Sequence, residues 1–152
     1  MGVNEKDMGA DIQLINVAAK GDVYHMADFP YGMALITAYL RQQGLNVLLI
    51  QYPLWKTKEY LKKILSCPAC LYGFQVGPEN YEDVRALAKL IKESNSKGKI
   101  VYGGPFLVDM YKDFLENDPY LDAVVLGEGE YTIEELIEAL KGNNPDWKLT
   151  RG

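Results

Sequence analysis

Five short apolar runs, each followed by a stretch with helical spacing of apolar residues, constrain this chain more than any other feature. The runs predict strands over residues 11–18, 46–51, 70–75, 99–102 and 122–126. Strands separated by segments of helix length cannot be joined as hairpins. They need crossovers, and repeated βα units build a parallel sheet whose helices cover both faces. With 152 residues, 48% of them hydrophobic, the chain has material for one two-sided core and so for one domain.

The helical stretches carry their own signals. Val84, Leu87, Ala88 and Ile91 recur at i, i+3, i+4, i+7, as do Ile133, Leu136, Ile137 and Leu140, so each lays one apolar stripe on a sheet. Leu35, Ile36, Tyr39 and Leu40 predict a first helix stopped by Gly44, and Tyr60, Leu61, Ile64 and Leu65 a shorter second one. The fourth, over residues 106–115, is the least regular. Thr132 followed by Glu135 reads as a capping box opening the last helix just after Gly127 and Gly129. The expected fold is α/β: a doubly wound five-stranded parallel sheet, a flavodoxin-like (Rossmann-like) three-layer sandwich.

Charge and hydropathy remove several classes of partner. The 16 basic and 21 acidic side chains leave a net charge of −5, and no stretch gathers Lys or Arg into a face for a phosphate backbone, so nucleic acid is not expected. The longest apolar run, residues 33–40, falls far short of a membrane span. The start MGVNEKD has no basic and apolar leader pattern, and Lys6 stands where myristoylation wants Ser or Thr. A cytoplasmic protein with no membrane partner is the expectation.

In an open parallel sheet, ligands bind beyond the carboxyl ends of the strands, where the strand order reverses. Three of those exits are unusual: Gln75-Val76-Gly77-Pro78-Glu79-Asn80, Gly103-Gly104-Pro105 and Gly127-Glu128-Gly129-Glu130. Glycine lets a ligand approach the main chain at contact distance, and the helix that follows offers free N–H groups to an anion. Taken singly, Gly-Gly after a strand is also an ordinary tight turn, and Glu128 and Glu130 also suit the dipole of the helix they precede. Together at one edge of one sheet, they make Gln75, Val76, Gly77, Asn80, Gly103, Gly104, Pro105, Gly127, Glu128, Gly129 and Glu130 candidate cofactor-binding residues. Tyr24, Tyr31 and Tyr102 carry rings that could stack on a cofactor or simply pack, and Tyr31 joins the candidates.

The order of these motifs resembles the N-terminal cobalamin-binding domain of cobalamin-dependent radical SAM enzymes. The resemblance is carried by Pro30-x-Gly32 opening a helix that runs through Ala38-Tyr39-Leu40-Arg41 to Gly44, by Gly73-Phe74-Gln75-Val76 with Asn80, by Val101-Tyr102-Gly103-Gly104-Pro105, and by the run from Val124 through Gly127-Glu128-Gly129-Glu130 to Thr132. It covers residues 10–142 and adds Gly32 to the candidates. It implies cobalamin as cofactor, with the corrin across the strand ends and the nucleotide tail in a slot beside the sheet, cleared by the glycines. Residues 143–152, beginning with the helix-breaking Asn143-Asn144-Pro145, would then start a linker to a C-terminal radical SAM domain of the same longer chain.

Domains that ligate cobalt through the protein carry Asp-x-His-x-x-Gly after the first strand. Here Asp22 stands three residues before His25 and no glycine completes the motif, so His25 is not expected as a ligand. A radical SAM cluster needs three cysteines and this chain has only Cys67 and Cys70. The four-iron four-sulfur cluster and S-adenosylmethionine would therefore belong to the other domain, and the chain is expected to hold no catalytic or metal-ligating residue. Cys67-Pro68-Ala69-Cys70 precedes a strand, at the edge away from the glycine loops, where no helix N-terminus would lower a thiol pKa. A zinc site would lack ligands, with only His25 to add.

The alternative is a free-standing flavodoxin-like flavin or nucleotide-sugar-binding protein. A flavodoxin wants a Ser/Thr-rich phosphate loop after the first strand, and none stands between Ala18 and Tyr31. A phosphoacceptor receiver domain would end its third strand on aspartate, where this chain has Gln75.

Overall fold

A computed structural model describes residues 9–18, 30–53, 57–143 and 146. Strands β1 (Ala10–Val17), β2 (Val47–Tyr52), β3 (Ala69–Gln75), β4 (Lys99–Gly103) and β5 (Ala123–Val125) alternate with helices α1 (Tyr31–Gln42), α2 (Thr57–Ser66), α3 (Tyr81–Ser94), α4 (Leu107–Asn117) and α5 (Gly129–Lys141). All strand pairings are parallel, in the order β2-β1-β3-β4-β5. Each expected strand lies within a residue of its observed bounds. Asp122, just before β5, is tied to β4 twice: its N–H donates to Ile100 O at 2.9 Å and its carboxylate accepts from Ile100 N–H at 2.8 Å.

Two cores separate the layers. Ile12, Leu14, Leu71, Val101 and Val125 meet Met33 and Leu40 of α1 and Ile133, Leu136 and Ile137 of α5 on one face. Ile15, Phe74, Ile100 and Tyr102 meet Ile64 of α2, Val84, Leu87, Ala88 and Ile91 of α3, and Leu107 and Phe114 of α4 on the other. The sheet is thus wound in opposite senses from its middle, with helices on both faces. Gly44, at φ +83°, ends α1 as expected: its N–H reaches Arg41 O at 3.0 Å and Leu45 N–H reaches Leu40 O at 3.1 Å.

Two sequence expectations are corrected. The buried stripe of α1 is Met33, Thr37 and Leu40, while Leu35 is 63% exposed, because α1 is rotated to pack on α5 as well as on the sheet. The Thr132–Glu135 capping box does not form. The α5 helix already begins at Gly129, with no side-chain cap on Glu128, and Thr132 Oγ1 donates back to Glu128 O inside the first turn. Of the two readings left open for Tyr102, packing is the one observed: it is fully buried under α3 and α4, its O–H donates to Asp118 Oδ2 at 2.9 Å, and burial followed by that carboxylate pushes its phenol pKa far up. Tyr24 and His25 lie outside the described residues, as do Asp22, Asp28 and most of residues 144–152.

Candidate functional site

Every helix that follows an inspected strand exit starts on the same edge of the sheet. The exits of β1, β3, β4 and β5 and the first turn of α1 enclose a cleft of about 760 Å³, within the range of small-molecule sites and open at its top. It sits where β1 leads to α1 on one face and β3 to α3 on the other, the reversal at which this strand order places its ligands. All thirteen candidate residues line it: Tyr31, Gly32, Gln75, Val76, Gly77, Asn80, Gly103, Gly104, Pro105, Gly127, Glu128, Gly129 and Glu130.

They line it in different capacities. A Cβ added at Gly32 or Gly127 would meet nothing within 4 Å, and one at Gly103 only Val125 O at 3.8 Å, so these positions leave open room that a side chain would fill. Gly127 at φ +74° and Gly104 at φ +126° also adopt backbone that L side chains disfavour. Gly104 folds its loop onto the β3 exit, where Val76 N–H donates to Gly103 O at 2.9 Å and a Cβ on Gly104 would stand 3.1 Å from Val76 O. Gly129 is needed for packing, since its Cβ would lie 2.9 Å from Ile36 Cδ1. Asn80 is buried, with its carboxamide engaged within the walls. Tyr31 is exposed at the mouth.

Sequence reasoning did not find the β1 side of the cleft, where Asn16, Val17 and Ala18 form the wall and Met33, Ile36 and Ile133 the floor toward α1 and α5. The apolar floor residues look like any core position in sequence. Asn16, a polar residue next to the end of a buried strand, was the available signal. The helices α1, α3, α4 and α5 all begin at this edge without a side-chain cap, and Tyr81 N–H of α3 and Leu107 N–H of α4 are met instead by the loop carbonyls of Gly77 and Gly104, each at 3.2 Å.

The charge of the lining is one-sided. Among the described residues it holds Glu79, Glu128 and Glu130 and no Lys, Arg or His. No group of three or more His, Cys, Asp or Glu side chains able to hold a metal ion occurs among the described residues. Cys70 lies at the far end of β3, its Sγ–H donating to Asp11 O at 2.8 Å, and burial, then the Asp11 carboxylate, push its thiol pKa up. That is the opposite of a reactive dithiol.

A parallel sheet wound both ways from β1 and β3, with a glycine-walled cleft at the reversal, defines a flavodoxin-like ligand-binding domain. Residues 16–137 match the B12 binding domain family, and the chain belongs to that family. It is a cobalamin-binding module. The open positions at Gly32, Gly103 and Gly127 fit such a cofactor, as they keep clear the space a bulky ligand needs.

Three characterised proteins share parts of the chain. The cobalamin-dependent radical SAM methyltransferase TokK of Streptomyces tokunonensis is 34% identical over 73 residues, 48% of this chain and 11% of its own length. A 2-(S-pantetheinyl)-carbapenam-3-carboxylate methyltransferase of Streptantibioticus cattleyicolor matches to the same extent. The anaerobic magnesium-protoporphyrin IX monomethyl ester cyclase of Synechocystis is 31% identical over 119 residues, 76% of this chain and 24% of its own length. The chain thus spans between about a tenth and a quarter of these relatives. No helix among the described residues is long and apolar enough to cross a membrane.

Proposed function

We propose that this chain is the cofactor-holding domain of a longer cobalamin-dependent radical SAM protein, and that the thirteen candidate residues hold the cobalamin. The observation that carries the reading is their convergence on one cleft at the sheet reversal of a B12-binding domain. Gly32, Gly103 and Gly127 supply clearance, Gln75, Val76 and Gly104 form the wall between the β3 and β4 exits, and Glu128 and Glu130 form the rim. Bound cobalamin supplies a cobalt centre for group transfer; the chain positions and shields it. The cluster and S-adenosylmethionine belong to a C-terminal radical SAM domain reached through residues 143–152, a reading supported by the greater length of the relatives.

The lining argues against the flavin or nucleotide-sugar alternative. A phosphomonoester or pyrophosphate carries up to two negative charges that such sites usually meet with cations, whereas this wall offers three carboxylates among its described residues. Cobalamin carries one phosphodiester charge and a rim of neutral amides. Protein mixed with hydroxocobalamin is expected to keep a corrinoid visible spectrum through desalting, while flavin mononucleotide washes out. Retention of the flavin in preference to the corrinoid would reverse the assignment.

A further inference from the structure

Asn80 does something its place in the sequence does not announce. It precedes α3, where an asparagine ordinarily turns its side-chain oxygen onto the free N–H groups of the first turn. It makes no such cap. Its Oδ1 accepts from Gly77 N–H at 2.9 Å, folding the β3 exit on itself, and its Nδ2 donates to Gln75 O and to Val17 O, each at 3.1 Å. At 6% exposure, the carboxamide is committed to three backbone partners within the cleft wall.

Those partners matter because of where they stand. Val17 ends β1 and Gln75 ends β3, and the last registered pair between the two strands is Ile15 with Phe74. Past that pair the chain leaves the strands toward opposite faces, and the gap between the two exits is the crevice itself. Ala18 N–H ties the β1 exit to Tyr52 O of β2 at 3.2 Å, and Val76 N–H ties the β3 exit to Gly103 O of β4 at 2.9 Å. Asn80 Nδ2 crosses from one half to the other.

We propose that Asn80 is a positioning residue for the cofactor: its carboxamide holds the ends of β1 and β3 at the separation that seats cobalamin, its polar atoms serving the wall and not the ligand. This rests on the reading of the cleft as the cobalamin site. Loss of the amide takes the donor from the buried Val17 carbonyl and from the part-buried Gln75 carbonyl, enough to let the exits part while the five-stranded ladder below stays paired.

The test compares Asn80→Asp, Asn80→Ala and wild type by equilibrium dialysis against cyanocobalamin at about pH 5 and about pH 8, with circular dichroism at each point. Aspartate keeps the size and the acceptor for Gly77, but when ionised it faces two carbonyl oxygens. Those oxygens raise its pKa, so the seated arrangement is present below that pKa and lost as pH rises through it. Wild-type affinity is expected to be level across the range. Asn80→Asp binds roughly tenfold more weakly at the higher pH and recovers part of that loss at the lower, where the protonated acid donates to one of the two carbonyls, whereas Asn80→Ala stays weak at both. Asn80→Asp tracking wild type at both pH values would overturn the proposal, as would losses of affinity that follow unfolding in both variants. Failure of the wild type itself to bind cyanocobalamin is a separate outcome, and would bring down the cobalamin reading together with the role of Asn80.

Discussion

The two ends of this sheet use the same residue for opposite ends. At the carboxyl edge, Gly32, Gly103 and Gly127 stand beside open space, and a side chain there would enter the cleft. At the amino edge, a Cβ on Gly98 would lie 2.6 Å from Tyr72 Cε2 and 2.8 Å from Asn95 Nδ2, and one on Gly9 would run into Pro68 O. The amino edge is also closed by polar bonds. Tyr72 takes Ala69 N–H on its hydroxyl at 2.9 Å, Asn95 bridges Ala69 O and Tyr72, and Asp122 gathers Lys92 and Ile100 N–H. Glycine keeps one end empty and lets the other be full. A ligand can enter only where the fold has left its own atoms out, so the difference locates function as well as stability.

The largest contrast should come from Gly98→Ala. Its methyl has to displace a buried tyrosine and its hydrogen-bond partners, so denaturant unfolding is expected to show a loss of about 2 kcal/mol. Cobalamin affinity of the folded variant should stay within about twofold of wild type, since the site is at the other end. A loss of affinity without a loss of stability would break the comparison at its root.

Gly103→Val is the mirror experiment. Gly103 ends β4, where a β-branched residue suits the extended backbone, and no left-handed φ confounds the change. Cobalamin binding should weaken by about tenfold or more while unfolding free energy moves by less than about 0.5 kcal/mol. Gly104→Val is the less clean test, because φ +126° and the 3.1 Å approach to Val76 O mean that stability falls with binding. Unchanged affinity in Gly103→Val would take the β4 exit out of the site.

The smallest expected effect concerns Cys70. Burial, then Asp11, raise its thiol pKa, so the thiolate is scarce at neutral pH and appears only as pH climbs. A disulfide reagent at about pH 7.5 should label Cys70 roughly tenfold more slowly than Cys67, the difference vanishing in denaturant. Equal rates in the native protein would show the amino edge to be more open than its packing implies.

Periodicity alone located all five strands and the helices α3 and α5, because a parallel sheet covered on both faces writes itself as apolar runs and a helix as a 3.6-residue stripe. It misplaced the facing of α1, since a helix that packs on both a sheet and a neighbour buries more than one arc. It read a capping box at Thr132 that the earlier start of α5 leaves no place for. Gln13 went unremarked: it is fully buried in β1, and its Nε2 donates to Ile64 O at 2.9 Å and to Cys67 O, fastening the end of α2 to the sheet. Such a bond joins residues 51 positions apart, and no local pattern encodes it.

The sequence by itself determined the alternation of strand and helix and the glycine-bearing exits, because backbone freedom and hydrophobic spacing are properties of short segments. The thirteen residues singled out from it all line the cleft, though the β1 wall and the apolar floor were not among them. Only the tertiary structure decided what each of them does there. Gly103, which ends β4, and Gly129, which opens α5, are the same residue at one edge of the sheet, yet one faces open space and the other the side chain of Ile36, and Asn80, which reads as a helix cap, is a strut between two strands. These roles depend on atoms brought in from distant parts of the chain by the strand order, and that order is fixed only when both faces of the sheet are buried at once.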